Sequence, residues 1–172
     1  MFLNPQHLLK QIKIKDDAQI ADFGCGHGGF SIPLAKMARK GKVFAIDIQK
    51  ENLSFLEGRK EVERAGNIRV ILSDLEMPKG SKLGDSQIDF VVIANVLFLS
   101  DNRLKIMQEA RRVLKNDGKV LVVDWKDDKR LILSQGSVGK EEITNLANEV
   151  GLKLEKELDA GMTHFALLFH KQ

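Results

Sequence analysis

Short apolar runs alternate along this chain with longer stretches in which apolar residues recur at helical spacing. AQIADF (18–23), KVFAI (42–46), NIRVIL (67–72), IDFVVIAN (88–95) and KVLVVDW (119–125) each predict a buried strand. The fourth is apolar without a break from Phe90 to Ala94, the pattern of a strand covered on both faces. Segments 29–39, 50–65 and 102–115 predict the helices between them. The last of these sets Leu104, Met107, Ala110, Val113 and Leu114 on one side, and NDG at 116–118 ends it. A short helix around Pro5–Ile12 opens the chain. A helix at 140–150 and strands at 153–159 and 163–170 close it.

Strand–helix alternation implies a parallel sheet with helices on both faces, an α/β sandwich of three layers. The end departs from that rule. Between Leu158 and His164 only DAGMT intervenes, too short for a helical crossover. The last two strands are therefore expected to form an antiparallel hairpin.

The first strand runs into a loop, IADFGCGHGGF at 20–30, with glycine at 24, 26, 28 and 29. Glycine suits a strand-to-helix turn where backbone approaches a ligand, because it lacks Cβ and tolerates positive φ. The spacing fits two ligand classes, G-x-G-x-x-G for dinucleotides and G-x-G-x-G for methyl donors. Asp22, two residues before the first glycine, favours the second. A carboxylate opposes a pyrophosphate but helps to hold the ammonium of S-adenosylmethionine (SAM). Asp47, at the end of strand two, suits the ribose hydroxyls of either ligand. Asp74, in LSDLE after strand three, is placed to accept a hydrogen bond from the adenine amino group.

Composition narrows the picture. At 172 residues, with 43% hydrophobic and 30% charged, the chain reads as one soluble domain spanning 1–172. No apolar stretch approaches the ~20 residues of a membrane span, and no signal peptide is evident, so a cytoplasmic location is expected. The net charge of +3 is too even for a nucleic-acid binder, and KDDKR at 126–130 mixes both signs as a solvated loop does. One cysteine, Cys25, excludes a disulfide framework, and no metal site is expected.

DFGCGHG (22–28), AIDI (45–48), SDLE (73–76), DFVVIANVLF (89–98) and RRVLKNDGKVLVVDW (111–125) stand in the order of a known family. The chain resembles the class I SAM-dependent methyltransferases, and is similar to their ubiquinone/menaquinone-biosynthesis C-methyltransferase subgroup. GLKLEKELDAGMTHFALLFHK at 151–171 resembles that family's closing hairpin. The resemblance implies a Rossmann-like fold, a seven-stranded, mostly parallel sheet of order 3-2-1-4-5-7-6. It implies SAM as cofactor, S-adenosylhomocysteine as product, and a site at the carboxyl ends of strands one to four. Gly24, Gly26 and Gly28 would line the methionine portion, flanked by Phe23 and Cys25, with Asp22 at its polar end. Asp47 would bind the ribose, with Ile48 against the adenine. Asp74, beside Ser73 and Leu75, would reach the adenine amino group, and Asn95 would face the methyl-donor centre.

Methyl transfer from a sulfonium is an in-line displacement in which positioning supplies much of the rate. A general base is required only when the acceptor loses a proton. His27 and His164 are the weak candidates for that role. The resemblance implies a small-molecule acceptor, quinone-like, lipid or metabolite. The alternatives are a macromolecular acceptor whose own surface completes the site and a non-catalytic SAM-binding subunit. Larger relatives close over the acceptor with N-terminal helices or an insert, and no large lid is legible here. Val96, Leu97, Phe98 and Leu99 would then be exposed beside the methyl position. The apolar residues Phe2, Leu3, Leu8, Leu9 and Ile12 have two readings: they fold over this region, from this chain or a homodimer partner, or they pack on the flank of the sheet and the cover comes from another protein.

Overall fold

A computed structural model describes residues 3–126 and 138–172. The elements run α1 (Pro5–Leu9), β1 (Gln19–Phe23), α2 (Ser31–Met37), β2 (Lys42–Asp47), α3 (Lys50–Val62) and β3 (Ile68–Leu72). They continue with β4 (Ile88–Ala94), α4 (Arg103–Val113), β5 (Leu114–Trp125), α5 (Lys140–Glu149), β6 (Leu152–Leu158) and β7 (His164–Lys171). The seven strands form one sheet in the order β3-β2-β1-β4-β5-β7-β6. β3, β2, β1, β4 and β5 are mutually parallel, whereas β7 runs antiparallel to both β5 and β6. The expected fold class, strand order and closing hairpin are all present.

Side chains alternate across the sheet, so each face buries its own apolar layer. Ile20, Val43, Val92, Leu121 and Leu168 pack on one face, beneath Leu8 and Leu9 of α1, Leu34 of α2 and Leu56 of α3. Ala21, Ile46, Val91, Val122 and Phe169 pack on the other, against Ile106 and Met107 of α4 and Ile143 of α5. Helices therefore cover both faces, which is why the central strands read as continuous apolar runs.

Two expectations near the sheet are corrected. The helix expected over 102–115 stops at Val113, and Leu114 is already a strand residue paired with Ile88. The NDG signal lies inside the strand instead of between elements. Pairing jumps from Ile88–Leu114 to Phe90–Lys119, and Asp117 takes φ +63 within that irregularity. Leu114 stays fully buried in either reading, so the apolar pattern alone did not distinguish them. The second concerns Val96–Leu99, expected to be an exposed patch. Leu97–Leu99 form a 3-10 turn that buries Leu97 completely, leaves Val96 and Phe98 half-buried and exposes Leu99.

α1 ends at Leu9, short of the expected Ile12, yet Leu8, Leu9 and Ile12 are all buried against the sheet. The segment is tied to the hairpin end of the fold. The Gln11 side chain donates to the Asp159 carbonyl at 2.9 Å and accepts the Asp159 amide at 3.0 Å. Phe2, and KDDKR beyond Lys126, lie outside the described residues. Among the described residues, no helix is long and apolar enough to cross a membrane.

Candidate cofactor site

The order of the strands opens a cleft. From β1 the chain winds outward through β2 and β3, then returns to β4 on the other side of β1. Ligands bind at such a reversal, outside the carboxyl ends of the strands. A cleft of about 610 Å³ lies there, within the usual range for small ligands. Asp22, Gly24, Cys25, Gly26, Asp47, Ile48, Ser73, Asp74, Leu75 and Asn95 all line it, though they span residues 22–95 of the chain.

The glycine loop is shaped by positive φ at Gly24 (+71), Gly26 (+51) and Gly28 (+82). The three do different work. A Cβ on Gly26 would meet nothing within 4 Å, so this residue leaves space open at the cleft. A Cβ on Gly24 would stand 2.3 Å from the Val96 Cγ2 atom, so this glycine lets the segment after β4 close on the loop. Gly28 turns away from the cleft, where a Cβ would stand 2.4 Å from Leu56 Cδ1 of α3. Phe23, likewise expected at the cofactor, is fully buried in the core on the α4 face.

Asp22 is almost inaccessible, and its carboxylate accepts the Ser31 hydroxyl at 2.5 Å. Burial pushes its carboxyl up to about 6, opposed by the Ser31 hydrogen bond and assisted by the negative charge of Asp47. Asp47 is better supplied. Its carboxylate accepts the Gly26 amide and the Gln49 amide, each at 2.8 Å, and the Asn52 side-chain amide at 3.2 Å. Burial, with Asp22 and Asp47 nearby, pushes the Cys25 thiol far above its ordinary range. That thiol is packing and not a nucleophile.

Asp74 accepts the Glu76 amide at 2.9 Å, an Asx turn that faces the loop into the cleft. Glu76 lines the cleft too, and its carboxylate accepts the Ser100 hydroxyl at 2.6 Å and the Asn102 amide group at 2.8 Å. Those hydrogen bonds hold its carboxyl below the usual range. Sequence reading passed over Glu76, although SDLE contains it. It also missed Pro5, Phe30 and Ser100, whose place in the lining depends on how distant segments pack, whereas Leu3, named at the N-terminus as able to reach Val96–Leu99, lines the cleft with Val96 and Leu99.

Asn95 has φ +57, and its Oδ1 is buried with no hydrogen-bond partner among the described residues. A buried acceptor left unpaired costs free energy, and residues held in such conformations cluster at functional sites. The two histidines fall elsewhere. His27 is exposed and stacks on Phe55 with ring centroids 4.4 Å apart. His164 is buried at the start of β7, stacked on Trp125 at 4.0 Å, with Nδ1 against the Thr163 hydroxyl and Nε2 without a partner among the described residues. Neither lines the cleft.

Residues 14–165 match the family described as Methyltransferase domain. The chain is 33% identical to an uncharacterized protein of Methanocaldococcus jannaschii, over 80% of this chain and 51% of that protein. It is 31% identical to the demethylmenaquinone methyltransferase of Bacillus velezensis, over 66% of this chain and 48% of that protein. The chain thus spans about half the length of these curated relatives. A SAM-dependent methyltransferase from Aquifex aeolicus shares the fold, with TM-score 0.89, 24% identity and coverage of 99% of this chain and 91% of that one. The family match, with a cleft built from the family's own motifs, makes the chain a member of the class I SAM-dependent methyltransferases, resembling the menaquinone subgroup.

Proposed function

We propose that this protein transfers the methyl group of SAM to a small, largely apolar acceptor. The single observation carrying this reading is the composition of the cleft. Asp22, Asp47, Asp74 and Glu76 line it together, and Leu3, Val96 and Leu99 supply an apolar wall. A carboxylate-rich end suits a donor that carries a sulfonium and an ammonium, and an apolar wall suits the acceptor.

The residues present fit SAM. Among the described residues, Asn95 Oδ1 is a buried acceptor without a donor, and the buried Asp22 carboxylate, which accepts the Ser31 hydroxyl, has no cation paired with it. The open space beside Gly26 accommodates backbone contact with a ligand. When bound, SAM supplies an activated methyl group that leaves its sulfur in a single displacement. The protein's part is to orient it. Asp22 would hold the ammonium, Asp47 the ribose hydroxyls, and Asp74 the adenine amino group. Ile48, 63% exposed at the cleft edge, would gain cover from the adenine. No histidine among the described residues lines the cleft, so His27 and His164 are not assigned proton removal.

Demethylmenaquinone and arsenite methyltransferases among the relatives act, by their names, on small acceptors. With Cys25 as the single cysteine, a reaction needing several thiols is disfavoured here. The test is turnover of methyl-labelled SAM with panels of quinols, phenols, amines and lipids. Label transfer to one of these classes is the expected result. Transfer only to a protein or RNA, or to nothing, overturns the small-molecule reading.

A further inference from the structure

The wall of the cleft beyond Asn95 hangs from a residue that lies outside the cleft. Asp124, next to last in β5, is fully buried. Its carboxylate accepts the Phe98 amide at 3.2 Å and the Trp125 amide at 2.8 Å. A carboxylate taken out of water is tolerated only where such donors meet it. Burial still pushes its carboxyl up to about 6, so the amides do not offset desolvation in full.

The segment it holds is short. Val96 and the turn Leu97–Leu99 separate Asn95 from Ser100, and Val96, Leu99 and Ser100 line the cleft. Arg103 grips the same turn from α4, its Nε donating to the Leu97 carbonyl at 2.8 Å while Nη1 is anchored on Glu142 at 2.6 Å. One charged group therefore takes an N–H of the turn and another takes a C=O. Val96 occupies the space left by the missing Cβ of Gly24, so the held segment rests directly on the glycine loop.

We infer that Asp124 is a positioning residue of the methyl-donor site: through the Phe98 amide it sets the turn that presses Val96 against Gly24 and places Leu99 in the cleft wall. This rests on the reading of the cleft as the SAM site. Asp124 touches no ligand. Its effect is geometric, and sites lose much of their function when a supporting group is displaced by about 1 Å.

The test compares wild type with Asp124→Asn and Asp124→Ala by SAM calorimetry, thermal melting and amide NMR. Asn keeps one oxygen able to accept an amide, and Ala keeps none. The expected result is a SAM affinity about tenfold lower for Ala and about threefold lower for Asn, with the Phe98 amide proton moving upfield in both. If the Phe98 signal moves and the melting temperature drops while SAM affinity stays within twofold, Asp124 serves the fold alone and the inference is overturned. Absence of SAM binding by wild type would instead overturn the reading of the cleft. Should the Asp124 variants not fold, Arg103→Leu releases the same turn from a partly exposed position. It is expected to shift the Phe98 signal and weaken SAM binding, and a shifted Phe98 with SAM affinity within twofold of wild type shows that the turn's position does not set the site and overturns the inference.

Discussion

The carboxylate of Asp47 accepts the amide of Gly26 at 2.8 Å, joining the end of β2 to the glycine loop that follows β1. Asp47 thus shapes the loop and, by the family resemblance, would also receive the ribose. Asp47→Ala removes an acceptor from three donors and is expected to weaken SAM binding by about 1–3 kcal/mol. Asp47→Asn should fall between. Calorimetry that finds both variants equal to wild type removes Asp47 from the site.

Gly26 and Gly28 stand two residues apart and should fail differently. Gly26→Val puts a branched side chain into open cleft space at φ +51, so SAM binding should be lost. The left-handed conformation adds a cost of about 1–2 kcal/mol to folding. Gly28→Ala drives a methyl into Leu56, so it should cost about 1–3 kcal/mol of stability and leave SAM affinity largely intact. Melting curves read beside SAM titrations separate the two. A Gly26→Val protein that binds SAM normally would show that the loop is only a turn.

With Asp22 holding the ammonium as proposed, SAM affinity should depend on pH. Its folded pKa of about 6 lies above the unfolded value of about 3.9, so the folded protein resists its ionisation. The cost is absent below the unfolded value, grows as pH rises between the two, and is complete above about 6. A bound ammonium favours the carboxylate, so binding must expel a proton below pH 6. SAM affinity should fall by up to tenfold per pH unit from 6 towards 5, with proton release visible as a buffer-dependent enthalpy. Asp22→Asn should bind more weakly at pH 7 and lose this dependence. The same profile in the variant would assign it to another group.

The N-terminal segment serves core and cleft through different residues. Leu8, Leu9 and Ile12 are buried, so Leu8→Ala should cost about 2–5 kcal/mol, and deleting residues 1–12 should lower the melting temperature and all activities together. Leu3 and Pro5 line the cleft instead. Leu3→Ala should leave the melting temperature within a few degrees and change acceptor turnover more than SAM affinity. Parallel loss of both would place Leu3 with the core.

The strands, their order and the closing hairpin were legible because period-two and period-3.6 patterns record which side chains face an apolar layer. That Asp22, Gly24, Gly26, Asp47, Asp74 and Asn95 would line one cleft was legible for a related reason. Each sits within three residues of a strand's carboxyl end, and parallel strands bring those ends to one edge of the sheet. What periodicity does not record is direction after the strand stops. Gly28, past the end of β1, faces Leu56 because α3 folds over the loop, whereas Phe23 is still in β1 and turns into the core by the strand's own alternation away from Asp22. Leu114 is buried in helix or strand alike, so only pairing with Ile88 decided its element. The burial of His164, the clasp between Glu76 and Ser100, and the hold of Asp124 on Phe98 all join residues far apart in the chain or buried by elements far from them. Local sequence determined which groups the carboxyl edge of the sheet would offer. Tertiary packing decided which of them face the ligand, because that depends on what the neighbouring strands and helices leave uncovered.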